Sequence, residues 1–202
     1  MIFDIFCGKQ ILITGHTGFK GSWLALWLSQ LGADVHGYAL PPDTEPNHYR
    51  AAHIRELLKS ECLADLRDRK KLTAYIHKVQ PDVIFHLAAQ PLVRRSYAEP
   101  VETFDTNVMG SIYVMDAVRA LEKPCVVIMI TTDKCYQNVN QVWGYRECDP
   151  LGGHDPYSAS KAAAEIAIAS YRDSYFPKEG NVRIASVRAG NVIGGGDWAE
   201  DR

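Results

Sequence analysis

Residues 10–31 read QILITGHTGFKGSWLALWLSQL, a short apolar run joined to a longer one by a loop that carries Gly15, Gly18 and Gly21. The two runs have the lengths of a buried strand and a helix, so the glycines lie in a strand–turn–helix context. Without side chains, the backbone there can turn tightly and approach a pyrophosphate, with the positive end of the helix directed at it. The stretch predicts a dinucleotide-binding loop, and the alternative is a tight turn without a ligand.

The rest of the chain repeats this alternation of short and long apolar runs. Runs such as DVIFHLAA and CVVIMITT alternate with amphipathic runs such as RKKLTAYIHKV and ASKAAAEIAIASY. Strands that are apolar throughout are typical of a parallel sheet covered by helices on both faces. We therefore predict an α/β fold with a Rossmann-type, doubly wound parallel sheet, which forms one NAD(P)-binding domain over residues 1–202.

The composition argues against several classes of partner. The 22 Lys and Arg residues nearly balance the 24 Asp and Glu residues, and no block of like charge suggests a nucleic-acid surface. The five cysteines have no CxxC spacing, which favours a reducing cytoplasm. The sequence shows neither a basic leader, which would indicate export, nor an apolar stretch of roughly 20 residues, which would indicate a membrane span. We therefore expect no membrane partner. The seven histidines have no companions at ligand spacing, so no metal is expected.

The identity of the cofactor is less clearly encoded. The loop has GxxGxxG spacing, and the second strand ends in HGYALPP, without the usual acid that binds the ribose or an arginine that accommodates a 2′-phosphate. We favour NAD on this basis, with NADP left open. Asp65 is a candidate for hydrogen bonding to the adenine or, equally, for capping the following helix. His16 either contacts the pyrophosphate or is a loop histidine that faces solvent.

Two groups of residues are candidates for catalysis. Tyr157 and Lys161 form the one Tyr-x-x-x-Lys of the sequence and lie on the same face of a predicted helix. An adjacent ammonium favours the phenolate of a tyrosine, whose ordinary pKa is about 10. Asp133 and Lys134 follow the apolar run CVVIMITT, where ligands of open α/β sheets bind, although a solvated loop is the alternative.

The sequence resembles the extended short-chain dehydrogenase/reductase family, because the motifs TGHTGFKG, HLAAQ, TNVMG, TTDKCY and YSASK occur in the family's order. The stretches WGYRECDPLGGHDPYSASK and AGNVIGGGDW resemble the branch that dehydrates CDP-linked glucose. The resemblance implies that Thr132 and Tyr157 bind the sugar 4-hydroxyl, that Tyr157 takes its proton, and that Lys161 holds the cofactor ribose. The implied substrate is a nucleotide sugar.

The resemblance also gives Asp133 and Lys134 a use. Loss of water across C5 and C6 of a 4-keto sugar needs one base and one acid. The resemblance makes Lys134 a buried base and Asp133 the acid, with the reverse assignment left open. Related dehydratases for other nucleotide sugars have Asp-Glu here, and a 4-epimerase, the main alternative enzyme, needs neither group. Because the family continues into a C-terminal substrate domain, which this chain is expected to lack, a cofactor-binding module without turnover is a further alternative.

The remaining expected contacts also come from the resemblance. Asn107 resembles a family asparagine that supports the active-site helix, with a cap or surface asparagine as the alternative. A homo-oligomer is expected through the helices that start near Val101 and Tyr157, although helices that pack on their own sheet fit equally well. Trp23 and Trp27 have the spacing of core residues. The other cofactor candidates are Thr17, Phe19, Leu66, Leu87, Ala88 and Ala89, and the substrate candidates are Arg94, Ser96, Asn107 and Asn191.

Overall fold

The computed structural model describes residues 2–200, and its centre is a six-stranded sheet in the order β3-β2-β1-β4-β5-β6. Each pair of neighbouring strands is parallel. The order reverses between β1 and β4, which is the switch point where open α/β sheets bind ligands. The strands are β1 (Gln10–Thr14), β2 (Asp34–Ala39), β3 (Ser60–Leu63), β4 (Val83–His86), β5 (Cys125–Thr132) and β6 (Val182–Ala189).

Helices connect the strands and cover both faces of the sheet. The structure has α1 (Phe19–Gln30), α2 (His48–Ala51), α3 (Ile54–Leu57), α4 (Arg69–Val79), α5 (Val93–Ala98), α6 (Pro100–Phe104), α7 (Gly110–Val118) and α8 (Pro156–Tyr175). A π-helical segment, Asp105–Met109, joins α6 to α7, and short 3₁₀ helices span Ile2–Phe6 and Asp133–Cys135.

Two apolar clusters fix the helices against the sheet. One includes Leu12, Ile84 and Val127 of the strands, with buried residues of α4, α7 and α8. The other lies on the opposite face, where Ile11 and Ile13 of β1 meet α1 and α3. Because the central strands bury side chains on both faces, they need the continuous apolar runs seen in the sequence. The predicted doubly wound parallel sheet is confirmed.

One expectation about the core is wrong. Trp23 and Trp27 have 44% and 50% of their surface exposed, so they are not core residues. The ring of Trp23 stacks on His48 with 4.4 Å between ring centroids, and its indole nitrogen donates to the carbonyl of Gly195. The helical spacing places both tryptophans on one face of α1, but whether that face is buried depends on distant segments of the chain. The contacts of Trp23 with His48 and Gly195 come from such segments and leave the ring half exposed.

The carboxyl ends of β1, β4 and β5 bring the predicted motifs to one edge. The glycine loop follows β1, the HLAAQ segment follows β4, and the Asp133–Cys135 turn follows β5. No helix within residues 2–200 is long and apolar enough to cross a membrane.

Candidate active site

The glycine loop is shaped by contacts that leave no room for side chains at two of its positions. Gly15 has φ +77°, and a Cβ there would lie 2.7 Å from the amide nitrogen of Ala88. A Cβ on Gly21 would lie 2.1 Å from the carbonyl oxygen of Gly15. Gly18 is different, because its Cβ would meet only that oxygen, at 3.5 Å. The fold therefore requires glycine at positions 15 and 21, whereas position 18 is open on its outer side.

The N-terminus of α1 offers free donors at the same place. Gly18 is its N-cap and supplies no side-chain acceptor, so no side-chain cap occupies the first turn. The uncapped amides and the helix dipole favour an anion such as a pyrophosphate. Of the predicted neighbours, Thr17 donates to the carbonyl of Leu40, and Phe19 begins the helix. The loop thus fits the diphosphate of a dinucleotide.

Two cofactor candidates near the loop, His16 and Asp65, have contacts that the sequence did not predict. His16 is fully buried, so the interpretation that it faces solvent is wrong. Its Nε2 lies 3.0 Å from Oε2 of Glu61, and burial lowers its pKa despite that contact. The ring has room because Gly37 faces it, where a Cβ would lie 2.6 Å from ring atoms. The sequence did not reveal this pairing.

Asp65 does not cap a helix. The N-cap of α4 is Asp68, whose side chain accepts from the amide of Lys71. Asp65 instead forms a two-point ion pair with the guanidinium of Arg67, with oxygen–nitrogen distances of 2.6 to 3.1 Å. The hydrogen bonds from Arg67 lower the pKa of Asp65. The neighbouring candidate Leu66 is buried in the core, whereas Leu87, Ala88 and Ala89 follow β4 and are partly exposed.

The Asp133–Cys135 turn is organised by the threonine before it. Thr132 is the N-cap, and its hydroxyl oxygen accepts from the amide of Lys134 at 3.3 Å and donates to Oδ1 of Asp133 at 3.2 Å. Thr132 is nearly buried, whereas Asp133 and Lys134 are both exposed. The buried environment that the resemblance implied for Lys134 is therefore not found among the described residues. An acid and a base both reach the surface from one short turn.

Tyr157 and Lys161 lie in the first turns of α8, as the spacing predicted. The helix begins at Pro156, and its N-cap Asp155 accepts from the amide of Ser158. Tyr157 is largely buried, while Lys161 is buried and donates to the carbonyl of Ile130 at 3.4 Å. Burial, with a smaller contribution from the charge of Lys20, lowers the pKa of Lys161 to about 8. The Ile130 contact ties α8 to the strand that ends in Thr132.

The four substrate candidates divide into two groups. Arg94 on α5 and Asn191 after β6 are exposed. Ser96 and Asn107 are buried, and their polar atoms bond within the protein, so the structure shows them in supporting contacts rather than exposed to a substrate. Ser96 accepts from the amide of Tyr157 at 3.1 Å. Asn107 accepts from the amide of Gln90 at 2.8 Å and donates to Gln90 and to Ser160, which agrees with support of the active-site helix.

Sequence reasoning missed two buried ionisable groups near this site, His86 and Glu165, and the partly buried Arg188 that pairs with one of them. His86 at the end of β4 bonds to Thr14 at 2.8 Å, and burial lowers its pKa to about 3. Glu165 on α8 and Arg188 on β6 form an ion pair at 2.9 Å. One signal was available, because Glu165 is an acid one turn beyond Lys161 in the alanine-rich YSASKAAAE.

Two further features of the molecule bear on the partners expected from the sequence. No group of three or more His, Cys, Asp and Glu side chains in the described part of the chain is arranged to hold a metal ion. An apolar groove beside α6 and α8 is lined by Pro100, Val101, Phe104, Asp105, Val108, Met109 and Ala163.

Comparisons with known proteins agree with this geometry. The family model described as GDP-mannose 4,6 dehydratase matches residues 12–184. The chain is 50% identical to the CDP-glucose 4,6-dehydratase of Salmonella typhimurium over 96% of this chain and 55% of that protein. It is 31% identical to the GDP-mannose 4,6-dehydratase of Vibrio cholerae over 83% of this chain and 46% of that protein. The chain thus spans about half the length of the curated relatives it matches.

Solved structures show the same arrangement of strands and helices. The UDP-glucose 4-epimerase of Thermus thermophilus in complex with NAD has a TM-score of 0.73 at 26% identity, over 88% of this chain and 54% of that chain. The epimerase Mth375 of Methanothermobacter thermautotrophicus has a TM-score of 0.80 at 21% identity, over 96% and 55% of the two chains. The second likeness concerns the fold alone.

Proposed function

The chain belongs to the GDP-mannose 4,6 dehydratase family, and from this premise we propose that it carries the cofactor site and the catalytic residues of an NAD-dependent nucleotide-sugar 4,6-dehydratase. The proposed reaction converts CDP-D-glucose to CDP-4-dehydro-6-deoxy-D-glucose. The observation that carries the proposal is the contact between Lys161 and the carbonyl of Ile130, two residues before Thr132. This contact joins α8, which carries Tyr157 and Lys161, to the strand that leads into the Asp133–Cys135 turn.

The glycine loop fits NAD. Gly15, Gly18 and the uncapped start of α1 would hold the pyrophosphate, and Lys161 would bind the ribose beside the nicotinamide. We propose NAD rather than NADP because neither the end of β2 nor the loop after it, residues 39–44, contains an arginine or a lysine for a 2′-phosphate. When bound, the nicotinamide accepts a hydride from C4 of the sugar and returns it to C6.

The chain's own residues then account for the protons. The Tyr157 phenolate takes the proton of the 4-hydroxyl, and the Lys161 ammonium favours that phenolate. Lys134 removes the C5 proton, which the 4-ketone acidifies, and Asp133 protonates the C6 hydroxyl as it leaves as water. Lys134 returns its proton to C5 when hydride reaches C6. The cycle closes when Tyr157 loses its proton to solvent and Asp133 regains one.

Two features support CDP-glucose over other nucleotide sugars. One is the 50% identity to the Salmonella enzyme. The other is Lys134, because the dehydratases for other nucleotide sugars that the sequence resembles have glutamate at this position. An epimerase also oxidises C4, but it has no use for Asp133 and Lys134. Nucleotide sugars are cytoplasmic metabolites, and the free cysteines fit a reducing compartment, so we propose a cytoplasmic location.

We also propose that the protein forms a homo-oligomer. The groove on α6 and α8 is apolar, and Val101 at its edge has 81% of its surface exposed. Phe104 and Met109 extend this surface and are also partly exposed. A second copy of the chain is the proposed occupant, because helices of the same kind can cover each other's apolar faces across a two-fold axis.

Mass spectrometry of the products tests the reaction. The purified chain is incubated with NAD and, in parallel, with CDP-, dTDP-, GDP- and UDP-glucose. We expect loss of one water from CDP-glucose alone, and a Tyr157→Phe control should slow it by about 10²- to 10⁴-fold. If no sugar loses water while NAD binds, the chain is a cofactor-binding module and the proposed reaction is wrong.

NAD binding is tested separately by calorimetry on two glycine variants. Gly18→Ala has space within the protein, so we expect it to fold normally but to bind NAD about tenfold or more weakly, because its methyl group lies where the diphosphate approaches. Gly21→Ala places its methyl against the carbonyl of Gly15 and should destabilise the fold itself. Unchanged NAD affinity in the Gly18 variant would remove the loop from the cofactor site.

A further inference from the structure

Glu165 is a buried carboxylate on α8, one turn beyond Lys161. Its oxygens accept hydrogen bonds from Thr131 at the end of β5, from Ser186 at 3.1 Å and from Arg188 at 2.9 Å on β6. Burial opposes its ionisation, but the hydrogen bonds from Arg188 and Thr131 outweigh burial and hold the pKa of Glu165 below its usual value. One ionised group therefore ties α8 to two neighbouring strands.

The partners of Glu165 reach the catalytic turn from two sides. Thr131 immediately precedes Thr132, which caps the Asp133–Cys135 turn. Arg188 lies opposite Thr131 in the β5–β6 pairing, and its other nitrogen donates to the carbonyl of Glu147 at 3.1 Å. The same guanidinium lies 4.9 Å from the ring centroid of Tyr136, the residue that follows the turn.

We propose that Glu165 is a positioning residue: its carboxylate holds α8 and the Asp133–Cys135 turn in one relative position and supplies the negative charge that faces Lys161. This role rests on the proposed dehydratase function. The relative position of α8 and the turn is important only if residues of both elements act on the same sugar. Small misplacements of reacting groups have large kinetic costs.

The effect of Glu165 on the pKa of Lys161 has to be judged beside the other ionisable groups around Lys161. Lys20 on α1 and His86 on β4 are close enough to interact electrostatically with the ammonium, and Cys135 interacts with it from the turn. Glu165 is the carboxylate in this set, and it raises the pKa of Lys161 against the effects of burial and of Lys20. Loss of its charge should therefore let Lys161 deprotonate at a lower pH.

A titration of Lys161 tests the electrostatic part without any need for turnover. The chain is labelled with ¹³C-lysine, the Lys161 signal is assigned with Lys161→Met, and its shift is followed by NMR from pH 6 to pH 11. In Glu165→Gln we expect the midpoint to fall by about 0.5 to 1 unit. Ser186→Ala removes one hydrogen bond but no charge, so its midpoint should stay at the wild-type value. An unchanged midpoint in Glu165→Gln would overturn this part of the proposal.

A matched pair of variants tests the positioning part. Thr131→Val and Ser186→Ala each remove one hydroxyl that donates to Glu165, but only Thr131 adjoins the turn. In Thr131→Val we expect faster hydrogen exchange at the Lys134 and Gly152 amides, which bond to Thr132 and Cys135. We also expect kcat to fall about tenfold or more with KM nearly unchanged.

The two variants must differ for the proposal to stand. If Thr131→Val and Ser186→Ala have the same exchange and the same kcat, Glu165 has a packing role alone. Urea unfolding establishes that each variant is folded, and if Glu165→Gln is not, the Thr131 and Ser186 pair decides. A wild-type chain without turnover would refute the proposed reaction, whereas the Lys161 titration and the amide exchange would still test the role of Glu165.

Discussion

Lys161→Met should stabilise the fold at neutral pH although it removes a residue of the proposed active site. Burial lowers the pKa of Lys161 from 10.5 to about 8. At about 1.4 kcal/mol per pH unit, this difference corresponds to a cost of about 3 kcal/mol for folding with a charged Lys161. Methionine fills a similar volume without the charge, and it forfeits about 1 kcal/mol from the hydrogen bond to Ile130. We expect a net gain of about 2 kcal/mol at pH 7.

The sign of the pH dependence follows from proton linkage. Below pH 8 Lys161 is protonated in both the folded and the unfolded chain, so its full cost is present. Above pH 8 the folded chain loses this proton while the unfolded chain keeps it up to about pH 10.5, so wild-type stability rises with pH. The advantage of Lys161→Met should therefore shrink by about 2 kcal/mol between pH 7 and pH 10.

Urea unfolding followed by tryptophan fluorescence measures these differences, and the four tryptophans supply the signal. The matched control is Lys70→Met, which removes an exposed lysine from α4 and should leave the stability difference nearly independent of pH. The reasoning is refuted if Lys161→Met is less stable than the wild type at pH 7. It is also refuted if the difference stays constant up to pH 10, because the cost would then not come from a buried charge.

Three other predictions address the chemistry, the acid stability and the assembly. In deuterium oxide, Lys134→Met should abolish both exchange of the C5 hydrogen and water loss, whereas Asp133→Asn should retain exchange while water loss slows by about 10²- to 10⁴-fold; the opposite pattern would reverse the two roles. Burial holds the pKa of His86 at about 3, below its unfolded value of 6.5, so stability should fall as pH drops through this window. His86→Gln should flatten the decline by up to about 1.4 kcal/mol per pH unit in urea titrations, and equal slopes would contradict the assignment. If the protein forms the proposed oligomer, Val101→Glu should convert it to monomers in sedimentation velocity, and an unchanged oligomer would place the interface elsewhere.

The fold was predictable because its strongest signals are local. Five of the six strands fall in short apolar runs, and α1, α4, α7 and α8 fall in the longer runs. The short helices α2, α3, α5 and α6 have four to six residues each and lack such periodicity, so tertiary contacts must determine them. The edge strand β3 is the exception: its sequence, SECL, is not an apolar run, and none of its four residues is buried.

The candidate site was predictable where a motif specifies a position along the chain. Thr132 and Tyr157 were placed correctly at the end of a strand and the start of a helix, because those signals depend on neighbouring residues. Partners across the fold were not predictable, since nothing local pairs Ser96 with the amide of Tyr157. His16 shows the same limit, because the absence of a side chain on Gly37, a distant residue, makes room for its ring.

The ionisable groups of the site are divided by depth. Asp133 and Lys134 are exposed on the turn, where solvent and the proposed sugar substrate can reach them. Lys161 and Glu165 are buried. The charge of Lys161 costs folding free energy because the ammonium loses its hydration, whereas the hydrogen bonds to Glu165 outweigh the cost of burying its carboxylate. A buried charge is a poor way to gain stability, because apolar residues of similar size are often as stabilising or more so. Burial instead fixes the orientation of each side chain and reduces the screening of its charge by water. The charge of Lys161 therefore acts strongly on its neighbours, and Glu165 holds its hydrogen-bond partners in place. The buried pair therefore fits a role in orienting the exposed pair better than a role in holding the fold together.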